Sequence, residues 1–138
     1  MGEALLSISN LNKRFPKAGG DILALHEVEL HVQEGEFITI IGPSGCGKST
    51  LLRIVAGLDN SYTGSVTLEG AEIRGPGIDK GFIFQEHRLF PWLTVEKNIA
   101  SDLPLGNKDI RTKVDELIEL VKLKGFEKSY PRELSGGM

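Results

Sequence analysis

Over residues 5–11, and again over Ile22–Val32, apolar and polar side chains take turns, with Val28, Leu30 and Val32 set against Glu27, Glu29 and His31. A period of two marks strands buried on one face, and it predicts an antiparallel pair that turns at Gly19 and Gly20. Residues 37–41 break the alternation: an unbroken apolar, β-branched run ending at Gly42 predicts a strand covered on both faces inside a parallel sheet. A helix is expected from about Lys48, with Leu51, Leu52, Val55 and Ala56 sharing a face and Gly57 as its stop. Alternation returns over residues 65–73, and a short strand is expected at 81–84. From Asn107 onward, Ile110, Val114, Leu117, Ile118 and Val121 lie three or four apart, a helix stripe that Gly125 can terminate. Strands come first and helices later, so the fold class is α/β.

A chain of 138 residues, 40% hydrophobic and 25% charged, has the composition of one ordinary globular domain. The formal net charge of −3 gives no electrostatic reason to expect nucleic acid or anionic lipid as a partner. A lone cysteine cannot form an internal disulfide, and the first thirty residues hold neither a signal-peptide apolar run nor a membrane span, which favours a reduced, cytoplasmic setting. His26, His31 and His87 show no metal-ligand spacing.

The chemistry is concentrated in GPSGCGKST, which is Gly42, Pro43, Ser44, Gly45, Cys46, Gly47, Lys48, Ser49 and Thr50. Placed between a strand and a helix, this G-x-x-x-x-G-K-[ST] pattern lets successive N–H groups turn inward while the helix adds its positive end, a concavity for polyphosphate. Lys48 would reach the β- and γ-phosphates, Ser49 would ligate Mg²⁺, and Thr50 would donate to an α-phosphate oxygen. The plain alternative is a glycine-rich turn entering a helix beside a snorkelling lysine. Cys46 has no neighbouring base or second thiol in the sequence and reads as a spacer. A second anion motif stands at LSGGM, where Ser135 can cap a backbone N–H and Gly136 and Gly137 leave the backbone bare to a ligand.

Reading on from the loop, STLLRIVAGLD, GSVTLEG, FIFQE and LSGGM occur in an order that resembles the ATP-binding cassette (ABC) ATPases of transporters, over essentially the whole chain. GPG at Gly75, Pro76 and Gly77, with LFPWLTV, further resembles the importers of nitrate, aliphatic sulfonates and taurine. The resemblance implies a P-loop NTPase core with an N-terminal antiparallel β subdomain over residues 1–84 and the start of a helical subdomain over 85–138. It implies ATP and Mg²⁺ as ligands, with Phe15 stacking on adenine and Gln85 sensing Mg²⁺ and the attacking water. Ser135, Gly136 and Gly137 would contact the γ-phosphate of ATP held by a second subunit in a head-to-tail dimer. Phe90, Pro91 and Trp92 would dock on a membrane-spanning permease subunit, served indirectly by a solute-binding protein, at the cytoplasmic face of the membrane. Phe15 could instead be a core phenylalanine, and the Phe90–Trp92 cluster could bury against its own subdomain.

The same resemblance places the metal-binding aspartate, the catalytic glutamate and the switch histidine downstream of residue 138, so the complete protein is expected to be an ATPase and residues 1–138 alone to be inactive and poorly folded. Asp115 and Glu116 do not fill that role, since they follow Arg111 and Lys113 on an amphipathic helix rather than an apolar strand. A guanylate kinase-like enzyme, a soluble ABC ATPase without a membrane partner, and a regulatory nucleotide-binding fragment are the rival readings.

Overall fold

The computed structural model describes residues 4–138 and divides into two compact units, one ending at Ile83 and the other running Phe84–Met138. In the first, strands β1 (Leu6–Phe15), β2 (Ile22–Val32), β3 (Thr63–Leu68) and β4 (Ala71–Glu72) form an antiparallel sheet in the order β2-β1-β3-β4. The anticipated pair of β1 and β2 is present, with Leu6 opposite Val32, Ile8 opposite Leu30 and Phe15 opposite Ile22. Gly19 and Gly20, both with positive φ, turn the chain between them.

β1 runs four residues beyond the alternation that announces it. Asn10 takes the left-handed region at φ 49°, and the pairing with β2 slips between Ile8 and Leu11. The irregularity changes which parity faces inward, so Ile8, Leu11 and then Lys13 are all buried. Glu29 Oε1 accepts the Asn10 N–H at 2.5 Å, which satisfies an amide the distorted ladder leaves aside. Gly64 is required opposite, because a Cβ there would collide with the Asn10 carbonyl.

The single strand expected over 65–73 is two strands. Glu69 and Gly70 both have positive φ (51° and 75°), the signature of a tight hairpin turn whose twist matches its strands. Helix α1 (Lys48–Val55) begins where expected and ends at Gly57, φ 73°, with Gly57 N–H donating to the Ile54 carbonyl and Leu58 N–H to that of Arg53. Its buried face carries Leu51 and Ile54, while Leu52, placed inward by the periodicity, is exposed. These join Ile8, Leu11, Leu25, Val66 and Ile73 in one core.

Two expected strands are absent. Residues 37–41 form no ladder, and Phe37 and Ile41 are 93% and 88% exposed. A strand inside a parallel sheet takes its hydrogen bonds from neighbours distant in sequence, and among the described residues none pairs with this segment. Residues 81–84 likewise form no strand.

The second unit is helical, with α2 (Val95–Ala100), α3 (Lys108–Leu120) and one 3₁₀ turn at Pro131–Glu133. Asn107 caps α3, its side chain accepting from the amides of Asp109 at 2.9 Å and Ile110 at 3.4 Å. Val114 and Ile118 are buried with Val95, Ala100 and Leu123, but Leu117 and Val121 from the predicted stripe face solvent. The helix stops at Lys122, φ 60°, rather than at Gly125: Lys122 and Leu123 return their N–H groups to the carbonyls of Glu119 and Ile118. Burial of Leu123 holds that left-handed lysine in place. α2 was not anticipated, being too short for periodicity to reveal.

Candidate phosphate-binding site

Gly42 to Gly47 wind into a loop that opens onto α1. Gly45 and Gly47 have φ of 82° and 96°, values that a Cβ would strain. Space is equally restrictive: a Cβ on Gly42 would lie 2.7 Å from Cys46 Sγ, and one on Gly47 would lie 2.5 Å from the Ala24 carbonyl oxygen of β2. The glycine spacing is therefore set by close approach as well as by φ.

Backbone donors are left over as a result. The Cys46 N–H donates to the Pro43 carbonyl at 3.4 Å and the Leu51 N–H to the Gly47 carbonyl at 2.9 Å, whereas the amides of Gly45, Gly47, Lys48, Ser49 and Thr50 have no acceptor among the described residues. No acidic residue stands in the first turn of α1 to oppose an anion, and no side chain caps the helix. Lys48 folds back over this concavity, its Nζ donating to the carbonyls of Gly42 and Pro43 at 2.7 Å each and lying 3.5 Å from Cys46 Sγ. Two neutral carbonyls hold the ammonium where a phosphate oxygen would be a stronger acceptor. Ser49, Ser44, Pro43 and Cys46 are exposed and Thr50 is half-buried.

Phe15 closes β1, and its ring is 41% exposed. Lys13, two residues earlier on the same face, has its Nζ 4.9 Å from the centre of that ring. The Lys13 side chain is 4% exposed, and its ammonium is ligated by both oxygens of Asp59, at 2.8 Å each, and by the Ser61 carbonyl at 2.6 Å. Burial pushes the Asp59 carboxyl up, but the Lys13 hydrogen bond, the Ser61 amide and the charges of Lys13 and Arg53 outweigh it and hold the group below the ordinary carboxylate value. Sequence reading passed over Lys13 and Asp59. A strand buries a lysine only where an oxygen cage awaits it, and the shifted parity after Asn10 conceals that Lys13 faces inward.

The second unit carries the other candidate residues. Gln85 lies exposed at a bend. Leu89, Phe90 and Trp92 are all exposed, Trp92 to 70%, with the Phe90 and Trp92 rings 5.5 Å apart at 45°. Asn98 of α2 fixes this stretch: its Oδ1 accepts the Phe90 N–H at 2.8 Å, and its Nδ2 donates to the carbonyls of Phe90, Leu93 and Thr94 at 3.1, 3.0 and 3.1 Å. Asparagine is a poor helix former, and its presence inside α2 was the clue to such a local bond. Ser135, Gly136 and Gly137 are exposed in a turn closed by the Met138 N–H on the Ser135 carbonyl at 2.9 Å, while Leu134 packs on the helical core. Asp115 is paired with Arg111 on α3 at 2.9 Å, as expected of a solvated helix face. Among the described residues no His, Cys, Asp or Glu cluster could hold a metal ion, and no helix is long and apolar enough to cross a membrane.

Known proteins carry the same pattern. Residues 25–138 match the ABC transporter family. The chain is 63% identical to the aliphatic sulfonates import ATP-binding protein SsuB of Bacillus licheniformis over 133 residues, which is 96% of this chain and 52% of that protein. It is 42% identical to the nitrate import ATP-binding protein NrtD of Synechocystis, covering 96% of this chain and 51% of that one. Among solved structures, the dimeric ATP-binding cassette MJ0796 bound to ADP and Pi superposes with a TM-score of 0.80 at 30% identity, covering 95% of this chain and 63% of that one. The chain thus spans about half the length of the curated relatives it matches. A guanylate kinase-like reading is set aside by these matches, and the chain belongs to the ABC transporter ATP-binding family.

Proposed function

We propose that the chain is the ATP-binding portion of a subunit that powers an importer of sulfonate-, nitrate- or taurine-like anions through ATP binding and hydrolysis. The observation that carries this reading is the set of five amides without an acceptor around Lys48. A triphosphate offers them anionic oxygens, and Lys48 would exchange two loop carbonyls for the β- and γ-phosphates. Ser49, exposed in the first turn of α1, is the hydroxyl that would hold Mg²⁺. When bound, that ion would neutralise phosphate charge. Thr50 would donate to the α-phosphate, and Phe15 would stack on adenine.

Residues 1–84 would form the β subdomain and phosphate-loop core, and residues 85–138 the beginning of the helical subdomain. Ser135, Gly136 and Gly137 would face the γ-phosphate of a head-to-tail partner subunit, for which the dimeric form of MJ0796 gives support. The exposed Phe90, Pro91 and Trp92 would dock on a permease subunit, and a solute-binding protein would act through that permease. The assembly would place this chain peripherally on the cytoplasmic face of the membrane. In the full-length subunit, Lys48→Ala is expected to weaken ATP binding about ten- to hundredfold and to abolish solute uptake. MgATP should also slow alkylation of the exposed Cys46. Unchanged affinity, uptake and alkylation would contradict the proposal.

A further inference from the structure

We infer that Lys13, caged by Asp59 and Ser61, is a positioning residue for the purine base: it fixes the Phe15 ring from one side and leaves the other for the base. The inference rests on the reading above in which Phe15 stacks on adenine. Four observations lead to it. Lys13 is almost wholly buried, so its place is fixed by packing. All of its polar contacts are oxygens, two from Asp59 and one from the Ser61 carbonyl. Its Nζ also lies 4.9 Å from the Phe15 ring centre, inside cation–π range. Phe15 itself is partly exposed at the end of β1, with Lys13 as its charged neighbour.

The chemistry follows from the ring quadrupole. A cation on one face draws π density towards itself, which lowers the repulsion felt by an electron-rich purine stacking on the other. The cage has a second consequence. Asp59 and Ser61 follow the Gly57 stop of α1, and α1 begins at the phosphate loop. One helix thus supplies the phosphate amides at its start and, just past its end, the carboxylate that sets the aromatic platform. The chain that leaves α1 braces the aromatic platform of β1, while the start of the same helix faces the phosphate loop.

The test separates base from phosphate in the full-length subunit. Lys13→Met keeps the stem and removes the charge; it is expected to weaken binding of MgATP about fivefold while binding of magnesium tripolyphosphate, which has no base, stays within about twofold. In a Phe15→Ala background the same substitution should have no further effect on MgATP. Asp59→Asn keeps an oxygen acceptor and serves if Lys13→Met does not fold; an intermediate loss confined to MgATP is expected. Equal losses for MgATP and tripolyphosphate would show a purely structural role and overturn the inference, as would an unchanged MgATP affinity. Should Phe15→Ala itself leave MgATP binding untouched, the stacking reading fails and the inference with it. A loss in Phe15→Ala but none in Lys13→Met removes the inference alone.

Discussion

Burying an ammonium costs several kcal/mol unless oxygen ligands replace its water, and Lys13 meets that cost with a carboxylate and a carbonyl. The pair gives stability a predictable pH dependence. The Asp59 carboxyl is held below its ordinary value of 3.8, so its contribution is complete above that value and is lost as pH falls through the lower, folded one. Asp59→Asn should destabilise the full-length subunit by about 2 kcal/mol at neutral pH, since it leaves a buried cation with half its partner. The difference in thermal midpoint between wild type and variant should shrink once pH drops below 3.8; a gap that is constant with pH would refute the assignment. Lys13 was hidden in the sequence by its neighbour. The irregularity at Asn10 shifts the inward parity, so a period-two reading ends at Leu11 and leaves Lys13 looking like a surface charge.

Elements whose signals are local were legible. The glycine turn between β1 and β2, the phosphate loop and the start of α3 near Asn107 all depend on a few neighbouring residues, and the structure holds them where the sequence puts them. The hairpin turn at Glu69 and Gly70 was missed because glutamate is an unusual occupant of a left-handed position, and alternation continues across it. The α3 stop was misplaced for a similar reason, since a lysine took the place normally filled by glycine. α2 illustrates an element defined by one side chain. Asn98 ties the 90–94 backbone with four hydrogen bonds, which presents Phe90 and Trp92 as a fixed apolar pair rather than a loose loop. If that pair docks on a permease, Trp92→Ala should reduce permease copurification by removing an anchor. Asn98→Ala should reduce it by a lesser factor, with the aromatic side chains intact but their backbone loosened by about 1–2 kcal/mol. Full copurification of both variants would rule out the docking surface.

At the scale of the molecule, two strands that the sequence announced did not form. Residues 37–41 and 81–84 have the composition of central parallel strands, but such strands draw both ladders from remote segments, and composition says nothing about where those segments are. The phosphate loop was legible because it is contiguous; Lys13 with Asp59 was not, because the two are brought together by folding. Exposure carries a physical cost here. Phe37, Ile41, Ile78 and Ile83 all face solvent, far more apolar surface than a self-sufficient domain leaves uncovered. A polypeptide of residues 1–138 is therefore expected to bind a hydrophobic dye, to unfold over a broad temperature range, and to associate at micromolar concentration. Calorimetry on this polypeptide decides the matter: one sharp, cooperative transition without dye binding would overturn the expectation.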